Sequence, residues 1–273
     1  MEPALSDVRV LTTASGCHLF SGCGYPAPSI SDFYFKPIFT IAGIQITKPI
    51  VLAILSAAII LTFFFVAFRK PKLVPRGAQN LGEMGVLFVR DQILRQQLGK
   101  KGDKYLPFIV AIFFFVWIMN IFGVIPMIEF PVTSKFAFPV ALALIVWVTY
   151  ITIGIKSKGP IGYFKRMAVP EGAPWWILPL LSPVELFSNI LVRPFTLSIR
   201  LFANMLAGHL LLLVFGLASW YLFSLSIGLL FAATSFLLTI ILVGLEVLIQ
   251  ALQAFIFATL TAFYIADAME TSH

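Results

Sequence analysis

The sequence predicts an all-α membrane protein because of its composition, its long apolar runs and the absence of strand-like alternation. Hydrophobic residues make up 60% of the 273 residues and charged residues only 11%, and the mean hydropathy is +0.98. Several apolar runs reach the ~20 residues that cross a hydrocarbon core. Lipid offers the backbone no hydrogen-bond partner, so these runs are expected to be helices. This composition excludes a soluble domain.

Residues 1–48 are predicted to form an exposed N-terminal tail, since they contain no long apolar run. An interfacial segment is expected at residues 32–39, where aromatic residues surround a lysine. Cys17 and Cys23 are the only cysteines in the sequence, and they lack the spacing of a metal site. Whether they form a disulfide or remain thiols stays open, as does the role of the tail.

Residues 49–273 are predicted to form one helical membrane domain, whose first spanning helix covers 49–68. Twenty residues at 1.5 Å each give about 30 Å, the thickness of the hydrocarbon core. A basic segment follows, and residues 75–104 are expected to lie on the membrane surface with a helix among them. Because Lys and Arg accumulate on the cytoplasmic side, this segment is placed in the cytoplasm and the N-terminus outside.

A spanning hairpin is predicted next, with helices at about 105–126 and 136–155. The short connection at 129–135 is expected outside, and the basic loop at 156–166 is expected in the cytoplasm. Most of the Lys and Arg residues fall in the two cytoplasmic loops. The formal net charge of +7 is therefore attributed to membrane topology, and no nucleic-acid partner is predicted.

Two long apolar segments end the chain, at about 183–222 and 226–266, and they leave the C-terminus in the cytoplasm. As one helix the second segment would measure ~60 Å, twice the hydrocarbon thickness. It is therefore expected either to break, with Gly228 and Gly244 as candidate points, or to lie strongly tilted.

The polar residues of the last segment fall on one helix face, within about 60° of the direction of Glu246 at about 100° per residue. Ser, Thr and Gln side chains commonly form hydrogen bonds between membrane helices, and any single polar residue of this face could have that role instead of a place in an ion path. A carboxylate in the stripe favours a water-containing ion path, because ionisable groups at membrane depth are costly and usually functional. This polar stripe comprises Ser235, Thr239, Glu246, Gln250, Gln253, Thr261 and Tyr264.

The preceding long segment carries an arginine face. Arg193, Arg200 and Asn204 lie on one side of a helix, together with the small residues Ala203 and Ala207. Small residues allow another helix to approach closely. Arg200 stays charged and is expected to meet a carboxylate, whereas Arg193 fits extension of its side chain to the interface better.

Further ionisable residues lie near these two faces. His209 is on the opposite side of the helix from Arg200. A single helix histidine is more often a hydrogen-bonding residue than a proton carrier, but a pair with Glu246 would suit a proton relay, since histidine titrates near neutral pH. A smaller polar group near the cytoplasmic end comprises Glu185, Ser182 and Ser188.

These motifs resemble subunit a of the F-type ATP synthases, the stator part of the proton channel. The similarity covers nearly the whole chain after the tail. It is most specific at residues 198–209 and 252–257, and residues 120–126 and 183–185 match further family motifs. The resemblance implies a surface helix, a membrane hairpin and two long, steeply tilted helices beside a ring of c subunits.

The resemblance also implies roles for individual residues. Arg200 takes the position of the family's essential arginine, which faces the carboxylates of the ring, and Asn204 and Gln253 take polar positions close to it. His209 and Glu246 match two titratable positions whose order is exchanged in some members. These residues, with Gln250, are expected in an outer half-channel.

An inner half-channel is then expected near Glu185, Ser182 and Ser188, and Arg200 would separate the two paths and favour the deprotonated ring carboxylate. Proton flow would drive rotation of the ring and ATP synthesis. The implied partners are the c ring, the b-type subunits of the peripheral stalk, the remaining ATP synthase subunits and the lipid bilayer. A multi-pass protein of a bacterial plasma membrane is expected.

No cofactor, metal or catalytic site for ATP is expected in this chain, because its sequence has no nucleotide loop, metal cluster or nucleophile–base pair. Two alternatives belong to other classes. A secondary transporter should show internal repeats and interrupted helices, and the sequence shows neither. A self-contained ion channel should conduct without a ring. Proton or sodium transport stays open, as does the number of ring subunits, because the ion-binding carboxylate would belong to the partner.

Overall fold

A computed structural model describes residues 39–41, 44–125, 128, 130–168, 177–222 and 227–269. The predicted tail, with Cys17 and Cys23, lies almost entirely outside these residues, and so does all but the last residue of the expected interfacial segment. Apart from one short hairpin, the regular structure of the described part is helical. The all-α class is thereby confirmed.

The hairpin precedes the first long helix. Strand β1, Phe39–Ile41, pairs antiparallel with β2, Ile44–Ile46, and Phe39 lies opposite Ile46. This hairpin was not predicted from the sequence, because a strand of three residues offers too few positions for an alternating pattern to be visible.

Five helical stretches of the described chain are long and apolar enough to cross a membrane. This makes the chain a multi-pass membrane protein, as the composition predicts. The sidedness of the crossings and the tilt of the long helices remain predictions. The five stretches are Lys48–Phe68, Ala78–Ile121, Ala137–Lys158, Leu178–Tyr221 and Gly228–Met269.

Helix α1, Lys48–Phe68, has a proline in its first turn, where the missing N–H costs no hydrogen bond. Helix α2, Ala78–Phe88, packs against it through a small residue: a Cβ at Gly82 would lie 3.4 Å from the Cβ of Ala67. A Cβ at Gly85 would lie 2.7 Å from Cζ of Phe114, so glycine allows this close approach as well.

The rest of the segment predicted at the membrane surface contains a π-helical turn, Val89–Leu94, helix α3, Arg95–Leu98, and a 3₁₀ helix, Gly99–Tyr105. Ion pairs connect its parts. Asp103 accepts from Arg90 at 3.0 Å and from Arg95 at 3.3 Å, and Arg95 also pairs with Asp91 at 3.2 Å. Helix α4, Leu106–Ile121, continues from this segment, and its Val116 and Met119 are fully buried.

A 3₁₀ turn, Val132–Ser134, leads to α5, Ala137–Lys158, which is followed by α6, Pro160–Ala168. Gly159 separates the two helices with φ of 74°, a backbone conformation that favours glycine. Helix α6 packs against α5 where Gly154 leaves room for a ring: a Cβ at this position would lie 2.8 Å from Cζ of Tyr163.

Two long helical stretches follow. The first consists of α7, Leu178–Phe187, a π-helical turn, Ser188–Val192, and α8, Arg193–Tyr221. The second is α9, a continuous helix of 43 residues from Ile227 to Met269. Since α9 runs through both Gly228 and Gly244, it does not break at either glycine. The sequence left two alternatives for this helix, a break or a strong tilt. Only the tilt is left, and it stays a prediction.

The described chain comprises two compact units. The larger contains the described residues of Pro37–Leu206 and Ile249–His273, and the smaller contains those of Ala207–Leu248. Apolar side chains of the surface segment and of α4 form much of the core of the larger unit, and Ile93, Leu94 and Ile109 are fully buried there. In the smaller unit, Ala232 is almost fully buried.

Candidate functional site

Helix α8 exposes the face that carries Arg200. Arg200, Ala203 and Asn204 are all exposed, whereas Leu201 and Met205 on the other side of the helix are buried. The exposed face thus carries the permanent positive charge of Arg200 next to the small side chain of Ala203. In a membrane-length apolar helix, such a face suits close contact with another helix rather than with lipid alone.

The guanidinium of Arg200 has no carboxylate partner in the described part of the chain. Other arginines of the described chain do have carboxylate partners, namely Arg90, Arg95 and Arg193. Because arginine remains protonated at any physiological pH, the counter-charge that the sequence predicts for Arg200 must come from elsewhere.

The polar stripe of α9 is buried, although its helix is apolar. Gln250 is fully buried, and Glu246 and Gln253 are only 4% and 6% exposed. On the opposite face, Leu248 and Leu252 are exposed. The helix therefore turns its polar side toward protein and its apolar side outward, as expected for a chain whose outer solvent is lipid.

In the smaller unit, the carboxylate of Glu246 lies against the backbone of α8. A Cβ at Gly208 would be 2.7 Å from Cδ of Glu246 and 2.8 Å from its Oε1. The absence of a side chain at Gly208 is what makes room for the carboxylate. His209 is the next residue along the chain and is also buried. Glu246, the only acid of the predicted stripe, therefore lies beside Gly208, the residue before His209.

Ser235 makes a polar contact between the two helices of the smaller unit. Oγ of Ser235 donates a 3.0 Å hydrogen bond to the carbonyl oxygen of Phe215. Thr239, another member of the stripe, donates instead to the carbonyl of Ser235 in its own helix. Ser235 therefore fits the alternative of a residue that bridges helices, whereas Thr239 satisfies its hydroxyl locally.

A cavity of about 220 Å³ lies in the larger unit and is lined by side chains of α5, α6, α7, α8 and α9 together with the π-helical turn. It brings two carboxylates together with two cations and three phenols. We call it the inner cavity. Its lining includes Glu185, Asp267, Lys158, Arg193, Tyr150, Tyr163, Tyr264 and Asn189.

Asn189 connects several groups of the inner cavity. Its Nδ2 donates to the backbone oxygen of Glu185 at 2.9 Å and to the Glu185 carboxylate at 3.3 Å. Its own backbone oxygen accepts a 2.9 Å hydrogen bond from the hydroxyl of Tyr150. This backbone oxygen belongs to the π-helical turn, and π turns are frequent at functional sites.

Arg193 is one of the two cations that line the inner cavity. Its Nη1 donates to Oδ2 of Asp267 at 2.6 Å, and its Cζ lies 5.3 Å from the ring centre of Tyr264. The sequence favours extension of this side chain to the interface. The structure instead shows an ion pair and a cation–π contact within the protein.

Only part of the polar group predicted near the cytoplasmic end lies around this cavity. Glu185 lines it, whereas Ser182 and Ser188 do not belong to its lining and are half-buried. The sequence did not single out Asn189 or Asp267. A signal existed for both: Asn189 lies four residues after Glu185 and four before Arg193, and Asp267 continues the stripe of α9 three residues beyond its last predicted member.

Among the described residues, no three His, Cys, Asp or Glu side chains are grouped so as to hold a metal ion. The groups that the structure does present are suited to binding and transferring ions. They are the exposed Arg200, the buried carboxylate of Glu246 beside the helix that carries His209, and a polar cavity with two more carboxylates.

Comparison with known proteins gives a consistent result. The family described as ATP synthase A chain matches residues 50–266. A Streptomyces lividans protein named ATP synthase subunit a is 46% identical over 268 residues, which cover 97% of this chain and 95% of the relative. Proteins of the same name from Frankia alni and a Nocardioides species are 46% and 40% identical, over 90% and 95% of this chain and 86% and 99% of their own length.

Proposed function

The chain belongs to the ATP synthase A chain family, subunit a of the F-type proton-translocating membrane sector, and we propose how it moves protons. It is the stator that offers two offset half-channels to a ring of c subunits. Its arginine deprotonates the carboxylates of the ring as they pass. Proton flow is thereby coupled to rotation of the ring and to ATP synthesis at subunits elsewhere in the complex.

The exposed Arg200 without a carboxylate partner in the described chain is the observation that carries this proposal. A guanidinium facing hydrocarbon costs several kcal/mol, about 2.5–3.5 on insertion scales. A ring that presents carboxylates would remove this cost by pairing. Ala203 on the same exposed face allows the helix of a ring subunit to approach closely.

The outer half-channel follows the buried polar stripe of α9. Glu246, Gln250 and Gln253 are buried on one face of a continuous helix, and His209 is the histidine of the same path. Carboxylate, imidazole and amide groups can each hold a water molecule or pass a proton. We assign Glu246 the role of receiving a proton from outside, with His209 as its relay partner.

The inner half-channel uses the inner cavity. Its volume of about 220 Å³ exceeds the ~30 Å³ share of one water molecule several times, and its polar lining gives waters the partners that they need. Glu185 is the group that takes the proton from the ring side. Ser182 and Ser188 remain predicted contributors at the approach to this cavity.

Arg200 stands between the two half-channels and gives the cycle its direction. Its positive charge lowers the pKa of a nearby ring carboxyl, so each arriving carboxyl releases its proton before it passes. A protonated carboxyl can then travel through lipid, where a charged one would be too costly. Each proton that crosses ~150 mV delivers about 3.5 kcal/mol, so several protons are combined for one ATP.

The remaining partners and the orientation follow from the same assignment. The b-type subunits of the peripheral stalk hold the chain against the turning ring, and the C-terminus faces the cytoplasm of a bacterial plasma membrane. The excess of Lys and Arg in the segments at 69–104 and 156–166 supports this orientation.

Disulfide cross-linking in the assembled complex tests the proposal. Ala203→Cys places a thiol on the exposed face beside Arg200, and a second cysteine is placed beside the carboxylate of the c subunit. Phe195→Cys is the control, because Phe195 is exposed on the same helix about 140° from Arg200. We expect cross-links for position 203 and none for position 195.

Equal cross-linking at both positions would refute the assignment of this face to the ring. The self-contained channel is tested by proton flux through vesicles that contain the purified chain alone. Flux without the ring, at the rate of the complex, would favour that alternative instead.

A further inference from the structure

A second cavity lies where the loop after α1 meets α2, and it is lined by cations. Its volume is about 450 Å³, and the side chains of Arg69, Lys70, Lys72 and Arg76 contribute to its lining together with Gln79. We call it the basic cavity. It takes no part in the proton path described above.

The loop that forms the basic cavity is held in place by one buried side chain. Oε1 of Gln79 accepts a 3.1 Å hydrogen bond from the backbone N–H of Lys72, and Nε2 of Gln79 donates to the backbone oxygen of the same residue at 2.9 Å. Nε2 also donates to the carboxylate of Glu83 at 2.7 Å. The loop therefore has a defined shape, and the nearby acid is engaged by an amide.

The four cations are available to an anion. All four are exposed, and within the described ranges no carboxylate pairs with any of them. Four like charges within eight residues repel one another unless a counter-charge is bound. Membrane orientation alone requires positive charge at this place, but it does not require a shaped cavity with an ordered wall.

Two apolar residues in the same loop indicate the medium that the cavity faces. Leu73 is fully exposed and Val74 is 68% exposed, between Lys72 and Arg76. The loop begins directly after a 21-residue apolar helix of membrane length. Cations beside exposed aliphatic side chains at the end of such a helix match the chemistry of a lipid at the interface, which has an anionic headgroup and acyl chains.

We propose that the basic cavity binds the phosphate of an anionic phospholipid, with Leu73 and Val74 inserted among its acyl chains. The four cations neutralise the headgroup, and Gln79 keeps the loop in the shape that receives it. Neutral zwitterionic lipids, whose own ammonium would enter a field of four positive charges, are disfavoured.

Native mass spectrometry of the full chain in detergent tests this proposal. The probes are phosphatidylglycerol, phosphatidylcholine and soluble glycerol phosphate. The test variant carries Lys72→Gln and Arg76→Gln. Its matched control carries Lys100→Gln and Lys101→Gln, which removes the same charge from exposed lysines of the same basic segment outside the cavity.

We expect the wild-type chain and the control variant to retain phosphatidylglycerol above phosphatidylcholine. The test variant should bind phosphatidylglycerol roughly 25-fold more weakly, which equals about 2 kcal/mol for two cations at the membrane surface. Leu73→Ser with Val74→Ser should also weaken retention of the lipid, without changing the binding of glycerol phosphate.

Equal loss in the test and control variants would overturn the proposal, since it would show a general charge effect. Full competition by glycerol phosphate, with no effect of the changes at 73 and 74, would indicate a site for free phosphate compounds and not for a lipid. Unchanged phosphatidylglycerol retention, with loss of another subunit from the purified complex of the test variant, would identify the cations as a protein contact instead.

Discussion

Nη1 of Arg193 and Oδ2 of Asp267 are 2.6 Å apart, and they join residues 74 positions apart in the sequence. The pair links the first turn of α8 to the last turn of α9 within the larger unit. Both residues also line the inner cavity, as does the proposed proton acceptor Glu185. The ion pair thus joins two helix ends at the wall of this cavity.

The first prediction concerns the strength of this pair. The two side chains are 24% and 40% exposed, so solvent screens part of the attraction, and we expect a coupling of about 1 kcal/mol. Arg193→Gln, Asp267→Asn and the double variant form the cycle, measured by thermal unfolding of the purified chain. Additive losses of stability would show that the two groups do not interact appreciably.

The second prediction concerns the room that Gly208 leaves for Glu246. Gly208→Ala would put a Cβ 2.7 Å from Cδ of the glutamate, so the carboxylate must move, and we expect ATP-driven proton pumping to fall at least tenfold, equivalent to about 1.4 kcal/mol. Gly216→Ala is the control, because a Cβ at this position of the same helix would meet nothing within 4 Å beyond its chain neighbours and the local helix backbone. Equal activity of both variants would contradict this close packing.

A third prediction concerns a shared role of His209 and Glu246 in the outer half-channel. Groups that pass the same proton are coupled, so the defects of His209→Ala and Glu246→Ala should not multiply in the double variant. Pumping should fall further for Glu246→Ala, at least tenfold, because it removes the only acid of the predicted stripe. Strictly multiplicative defects would count against a relay between them.

The fourth prediction separates the two tasks of Arg200. Lysine keeps the charge but is more strongly hydrated and lacks the planar fork, so Arg200→Lys should reduce ATP synthesis at least tenfold while the complex still assembles. Arg200→Ala should in addition allow passive proton leak, since ring carboxyls would no longer be forced to release their protons. The measurements are proton flux into vesicles under an imposed potential and ATP synthesis.

Assembly of each Arg200 variant is verified first by co-purification of the ring, because a lost ion pair can weaken the contact. An assembled Arg200→Ala complex that makes ATP at the normal rate would overturn the role of this residue.

The fifth prediction concerns orientation. In a background where Cys17 and Cys23 are replaced by serine, Phe136→Cys should react with an impermeant thiol reagent outside intact cells, and Lys165→Cys should not. The charge bias of the loops is the physical reason. Reaction of position 165 from outside would reverse the proposed topology.

The sequence was a good guide wherever one segment contains the whole signal. Apolar length alone predicted the membrane-length helices, and the spacing of Glu246, Gln250 and Gln253 predicted a common face, which the structure shows to be buried. The first inference depends on the length of one segment and the second on its periodicity, and a single helix fixes both without reference to its neighbours.

The inner cavity was largely missed because its groups come from distant parts of the chain. Spacing says nothing about which residue of α9 meets Arg193, so the sequence suggested a side chain that extends to the interface. Tyr150 is likewise 39 positions from the carbonyl of Asn189 that accepts its hydrogen bond. Such partners become apparent only when helices are packed together.

The π-helical turn at Ser188–Val192 has a consequence for how the sequence can vary. A wide turn of this kind holds an extra residue compared with a regular α-helix, and here it separates Glu185 from Arg200. Because the wide turn accommodates this residue within a single turn, the helices on either side keep the relative phase of an unbroken α-helix. Removing one residue from the turn would therefore restore α-helical winding there and leave Glu185 and Arg200 on the same relative faces. A single-residue deletion in this turn is expected to be tolerated far better than one in α7 or α8, where it would rotate one side by about 100° against the other.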